Sequence, residues 1–214
     1  MNNRRIRRMT IAVTAAALLP LGISACSQDG GDSKSADSKK SSESQKKEEP
    51  KKQEAASGEF GPACKTVPKT GKGSFKGMAQ DPVATAASNN PELSTLVSAV
   101  KKAGLVDTLN SSKNITVFAP TNDAFKKIPK ADLEKVMSDK KMLTKVLTYH
   151  VVGEKLTKEK LTDGMYPTLA KANLMTSGSG DSYKINNEGA VGCGNVKTAN
   201  ATVHIIDSVL MPPK

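Results

Sequence analysis

Between residues 27 and 57 the chain has no large apolar side chain, and this gap decides which part of it can fold. A stretch of Ser, Lys, Glu, Asp, Gln and Gly cannot bury enough surface to offset the entropy of ordering it. Its seven lysines and seven acids cancel. Interleaved charges of both signs predict a solvated tether rather than a like-charged binding arm. The packed unit therefore falls within 58–214, which holds all seven aromatic residues and 21 lysines against 14 acids. That length suits one domain and excludes a multidomain enzyme.

The segment before the gap has the form of an export signal. Arg4, Arg5, Arg7 and Arg8 make a positive head, residues 11–21 are apolar, and small residues Ser24 and Ala25 follow. The apolar run is shorter than the roughly 20 residues a membrane-spanning helix needs. Ile23-Ser24-Ala25-Cys26 resembles the bacterial lipobox, whose cysteine thiol is diacylated and becomes the new N-terminus after cleavage. The competing reading is an ordinary secretory signal with an incidental cysteine. The lipobox resemblance implies lipidation at Cys26 and a protein held on the outer face of a bacterial membrane. The expected organisation is a lipoprotein signal at 1–25, a lipid-anchored charged linker at 26–57 and a domain at 58–214. Sec and twin-arginine export are not distinguished by the arginine pair.

Cys64 and Cys193 remain, near the two ends of the domain. On an exported chain such a pair predicts a disulfide. No Cys-x-x-Cys supports a redox centre. Only His150 and His204 could join a metal site, without ligand spacing, so no metal is expected.

Helical signals come first. Asp81-Pro82 and Asn90-Pro91 each place a capping residue before a proline at the first helical position. Leu93, Leu96, Val97 and Val100 then form one apolar stripe, closed by Gly104. Residues 115–119 are β-rich and stop at Pro120, and Thr121 can cap a turn through Ala124 and Phe125. Helical patterns return at 131–137 and 142–147. From Val151 onward short apolar runs are separated by Gly, Asn and Ser, as in an antiparallel sheet. The β-branched run at 202–210 predicts a closing, central strand. Helices early and strands late give an α+β fold in one domain.

Three segments carry a resemblance. Thr116-Val117-Phe118-Ala119-Pro120-Thr121-Asn122-Asp123-Ala124-Phe125, Tyr149-His150, and Asn200-Ala201-Thr202-Val203-His204-Ile205-Ile206-Asp207-Ser208-Val209-Leu210-Met211-Pro212 are similar, in order and spacing, to the signatures of the fasciclin (FAS1) family. The region from Gly77 to Pro91 and the segments around Cys64 and Cys193 are similar to the mycobacterial secreted and surface-lipoprotein antigens of that family. The resemblance implies a compact β-wedge packed with N-terminal and middle helices, and an adhesive or surface-binding role without a catalytic centre. It points to Tyr149, His150, Val151 and Val152, with Ile206 and Asp207, as contact residues. Read from the residues alone, Tyr149 and His150 lock a corner. His204 is a solvated or hydrogen-bonded strand histidine, and Asp123 is a helix-start residue.

No catalytic fingerprint occurs, and two histidines leave little for acid–base work. Lysine in place of arginine throughout the domain and few aromatics argue against nucleic acid. The expected protein is a monomer without cofactor that works by binding an extracellular or cell-wall ligand, a matrix protein among the candidates. The alternative is an envelope regulator that partners a membrane protein. Excess lysine favours weak, salt-sensitive attraction to acidic wall polymers or anionic lipid heads.

Overall fold

A computed structural model describes residues 58–213; the expected signal, Cys26 and the tether lie outside the described residues. The helical half opens with α1 (Phe75–Met78), α2 (Val83–Ser88), α3 (Ser94–Ala103) and α4 (Val106–Ser111). α3 buries Leu96, Ala99, Val100 and Ala103 and ends at Gly104, whose φ of 75° is the left-handed conformation that glycine adopts without a Cβ penalty. Next come β1 (Ile115–Pro120), α5 (Asn122–Lys126), α6 (Lys130–Ser138) and α7 (Lys140–Tyr149). Thr121 caps α5 by accepting the Ala124 N–H, and Asp139 caps α7 by accepting from Lys141 and Met142.

Asp81 does not cap α2. Pro82 occupies the cap position, and no side chain there accepts a bond. Distant amides do that work instead. The Val83 N–H donates to Asn200 Oδ1 at 2.8 Å and the Ala84 N–H to Asn110 Oδ1 at 2.9 Å. Asn200 Nδ2 also donates to the carbonyls of Leu109 and Ser112 at 2.7 Å each, so one amide closes the start of α2 and the end of α4. Asn122 plays a similar part for α3, accepting from the Thr95 N–H and donating to the Pro91 carbonyl, both at 2.9 Å. Unpaired groups at helix ends must find such partners.

The strands that follow are β2 (Val151–Val152), β3 (Asp163–Pro167), β4 (Asn173–Ser179), β5 (Ser182–Ile185), β6 (Gly189–Lys197) and β7 (Ala201–Ile206). They form a seven-stranded sheet with β1, in the order β2-β1-β7-β6-β5-β4-β3. β1 and β7 are parallel, from Ile115 opposite Ala201 to Pro120 opposite Ile206. The other neighbours are antiparallel. The sheet curls until its ends meet: the Leu169 N–H, just past β3, donates to the Val151 carbonyl at 2.8 Å, and Thr168 bridges to Val152. This contact covers edge groups that would otherwise stand open.

Parallel strands need cover on both faces, and every residue of β1 and β7 is buried. Val117, Ala119, Val203 and Ile205 pack under the helices with Leu96, Val100, Leu143 and Leu147. Phe118 and Ile206 face the inside of the curl with Leu156, Leu161, Leu174 and Ile185. The closing run is interior, as its composition predicts, but its strand stops at Ile206. There Asp207 Oδ1 accepts the Ala190 N–H at 2.8 Å and turns the chain.

The domain's first residues strap onto β6. Phe60 and Gly194 exchange backbone hydrogen bonds of 3.2 and 2.7 Å. A side chain at Gly194 would intrude into the Phe60 ring, so the close approach requires glycine. Cys64, in the short helical turn Pro62–Thr66, is disulfide-bonded to Cys193 with Cα atoms 4.7 Å apart.

Candidate binding site

The corner between α7 and β2 brings together the residues singled out in the sequence. Tyr149 OH donates to the Asn173 carbonyl at 2.9 Å and accepts from Asn186 Nδ2 at 2.8 Å, tying α7 to β4 and the turn after β5. His150 Nδ1 donates to the Val146 carbonyl at 2.8 Å. Its Nε2 accepts the Leu210 N–H at 2.9 Å, and its own carbonyl accepts from Phe118. Val151 and Val152 pair with Val117 and Thr116. Relative exposure is 3% or less for Tyr149, His150, Val151, Val152 and Ile206. These five side chains therefore point inward, and contact with a partner through them would require the corner to open. They fix the geometry of the surface above them. Asp207 is half-buried and tied to Lys127 at 2.9 Å, the Ala190 N–H and the Ser208 hydroxyl. Burial pulls its carboxyl upward, but those three bonds prevail and hold it below the usual range.

His204 is not solvated. The sheet curls over its side of β7, so the ring is fully buried, stacked on Phe118 at 5.4 Å. Its Nδ1 accepts the Asn195 N–H at 3.2 Å, and its Nε2 donates to the Leu156 carbonyl at 3.2 Å. The two histidines thus hold opposite neutral tautomers, each set by one accepted N–H. Burial pushes both down to about 4, against the opposing pull of the Val146 and Leu156 carbonyls. Neither presents a free ring nitrogen. Asp123 lies in the first turn of α5, paired with Lys126 at 2.7 Å, and that bond lowers its carboxyl pKa. Among the described residues no group of three or more His, Cys, Asp or Glu is placed to hold a metal ion.

Two surface features are better placed to meet a partner. Lys113, Lys155 and Lys197 surround a depression of about 340 Å³ at the β1–β7 entry, with Asn114, Asn200 and Thr202 in its wall and no carboxylate in its lining. The ion pairs among the described residues use other lysines. These three charges come from the loop before β1, the loop after β2 and the end of β6, so only the fold assembles them; lysine excess was the sole sequence signal. The second feature is Met165 and Met175, directly opposite each other on β3 and β4 and 60% and 52% exposed. Asn173 joins them to the corner, since its Nδ2 donates to Met165 Sδ at 3.3 Å and its carbonyl accepts from Tyr149.

Comparison with known proteins places this geometry in context. A family model described as Fasciclin domain matches residues 91–212. The Cell surface glycolipoprotein MPB83 of Mycobacterium bovis is 53% identical over 149 residues, covering 67% of this chain and 66% of that protein. The chain thus spans a little less than two thirds of that relative's length. The Immunogenic protein MPB70 of the same species is 48% identical over 168 residues, covering 74% of this chain and 86% of that protein. Among solved structures, a FAS1 domain pair from the insect cell adhesion molecule Fasciclin I superposes with a TM-score of 0.52 at 19% identity. The match covers 63% of this chain and 52% of that one, and shows the fold alone.

Proposed function

This chain belongs to the fasciclin family, and from that premise we propose that it is a cell-surface protein that works by binding rather than by chemistry. Its domain is held at the outer face of the membrane by lipid on Cys26. The names of its mycobacterial relatives support the location. The binding partner is an acidic polymer of the cell envelope, and the observation that carries this reading is the depression ringed by Lys113, Lys155 and Lys197. Three ammonium groups with no ion pair among the described residues, around one concave surface, focus a positive potential there. Lysine heads on flexible stems suit a repeating anion of loose geometry better than one rigid ligand.

The test is co-sedimentation of the full chain with purified, insoluble cell wall over a salt series. Binding strongest at low salt and lost in the charge-reversed variant Lys113→Glu/Lys155→Glu/Lys197→Glu is expected. Undiminished retention of the folded triple variant overturns the reading.

The Met165–Met175 pair favours a second reading, an envelope regulator docking a membrane protein. Exposed methionine pairs suit adaptable protein contacts. Cross-linking in cells, followed by comparison of wild type with Met165→Lys/Met175→Lys, separates the two: one specific membrane protein lost in the variant supports docking.

A further inference from the structure

The helix-facing layer of the core is not uniformly packed. Under α5, α6 and α7 the residual space is about 10 Å³. Under α2, α3 and α4 the same layer leaves a partly open space of about 250 Å³. Native interiors contain few voids larger than a water molecule. An engineered apolar cavity of about 150 Å³ stays dry and admits benzene. α2 lines this space with the small side chains Ala84 and Ala87, together with Val97 and Val100 of α3, Val106 of α4 and Val203 of β7.

The lining excludes polar ligands. His150 is its one titratable deep member, and both ring nitrogens are spent on Val146 and Leu210. Water inside would find too few partners. The rim differs. Thr85, Ser88, Lys101 and Thr108 are exposed lining residues, and Lys101 has no ion-pair partner among the described residues. Leu169, 42% exposed, supplies an apolar part of the boundary. A deep apolar slot with a hydroxyl- and ammonium-bearing rim matches a long hydrocarbon ending in an anion.

We infer that this cavity is a binding site for a single, non-covalently held acyl chain, with its carboxylate at Lys101. The cavity shares only Thr198 with the lysine depression, so the two sites stand or fall separately.

The test titrates the full chain carrying Cys26→Ala, which removes any attached lipid, with dodecanoate below its micellar concentration, and follows side-chain methyl resonances. Saturable shifts at Val100, Val106 and Val203, with Met165 and Met175 unmoved, are expected. Ala87→Phe fills the cavity and should abolish those shifts. Lys101→Glu should weaken dodecanoate by about fivefold while leaving dodecanol unchanged. Absence of saturable shifts in the unfilled chain, or shifts confined to Met165 and Met175, overturns the inference. So does undiminished binding in a folded Ala87→Phe chain. If Ala87→Phe does not fold, the shift map of the unfilled chain decides the question, with Ala84→Leu as the second filled variant. An equal effect of Lys101→Glu on dodecanoate and dodecanol overturns the placement of the head.

Discussion

Acidification from pH 7 to 5 should destabilise this domain through its two buried histidines. His150 and His204 are buried and neutral, each with one nitrogen already accepting a backbone N–H. Protonation would set a new N–H against an existing one. Their folded-state pKa of about 4 lies below the ordinary 6.5, so the unfolded chain takes up protons first. Their contribution is complete above pH 6.5 and shrinks as pH falls toward 4, below which these two groups take away nothing more. At pH 5 linkage predicts a loss of about 2 kcal/mol per ring, or about 4 kcal/mol together. That is a large share of the 5–15 kcal/mol typical of a domain. Asp123, Glu159 and Asp207 have lowered pKa values, so their losses occur at more acid pH and leave the window clear. Urea unfolding followed by circular dichroism at pH 7, 6 and 5, with the disulfide intact, measures the effect. His150→Gln, which keeps a donor and an acceptor but does not titrate, should remove about half of the pH dependence. A urea midpoint that stays constant from pH 7 to 5 would refute the assignment of two neutral, trapped imidazoles.

Other outcomes follow from the same contacts. Asn200→Ala removes the amide that serves the Val83 N–H and the Leu109 and Ser112 carbonyls, and should cost about 2–4 kcal/mol in the same urea assay; a loss below the error of the assay contradicts the bridging role. Reduction of Cys64–Cys193, which closes a separation of 129 residues, should lower stability by up to about 4–5 kcal/mol in the chain-entropy description, read as a drop in urea midpoint with reductant. Cys26→Ala should release the protein from the membrane fraction into the soluble fraction, and a mature-sized variant that still sediments with membranes argues against lipid attachment.

The sequence was most informative where one element's own periodicity decides its fate. The stripe from Leu93 to Val100, the stop at Gly104 and the β-rich run before Pro120 all form where the pattern places them. Reading failed where a distant residue decides. Asp81-Pro82 has the form of a cap, yet Asn200 and Asn110 hold the first N–H groups of α2. Nothing near Asp81 could reveal that. Strand alternation puts His204 opposite Val203 and Ile205, but whether that face meets water depends on the curl that brings Leu169 to Val151. Tyr149 and His150 lock the corner between α7 and β2, as read from the residues alone, with side chains that face inward. The lysine depression joins two loops and a strand end far apart in the chain, and the alanines of α2 read as ordinary helix until the space beneath them is seen.

The strap at Phe60 and Cys64 also governs how the molecule responds to being pulled. Tension arriving through the residues before Gly58 passes along the Phe60–Gly194 bridge and the Cys64–Cys193 bond straight into β6. Everything from α1 to β5 lies within the covalent loop, so a load whose opposing end acts on β7 does not run along it. Force applied between that end and β7 therefore reaches the sheet through one covalent bond, and the helices and the α7–β2 corner stay outside its path.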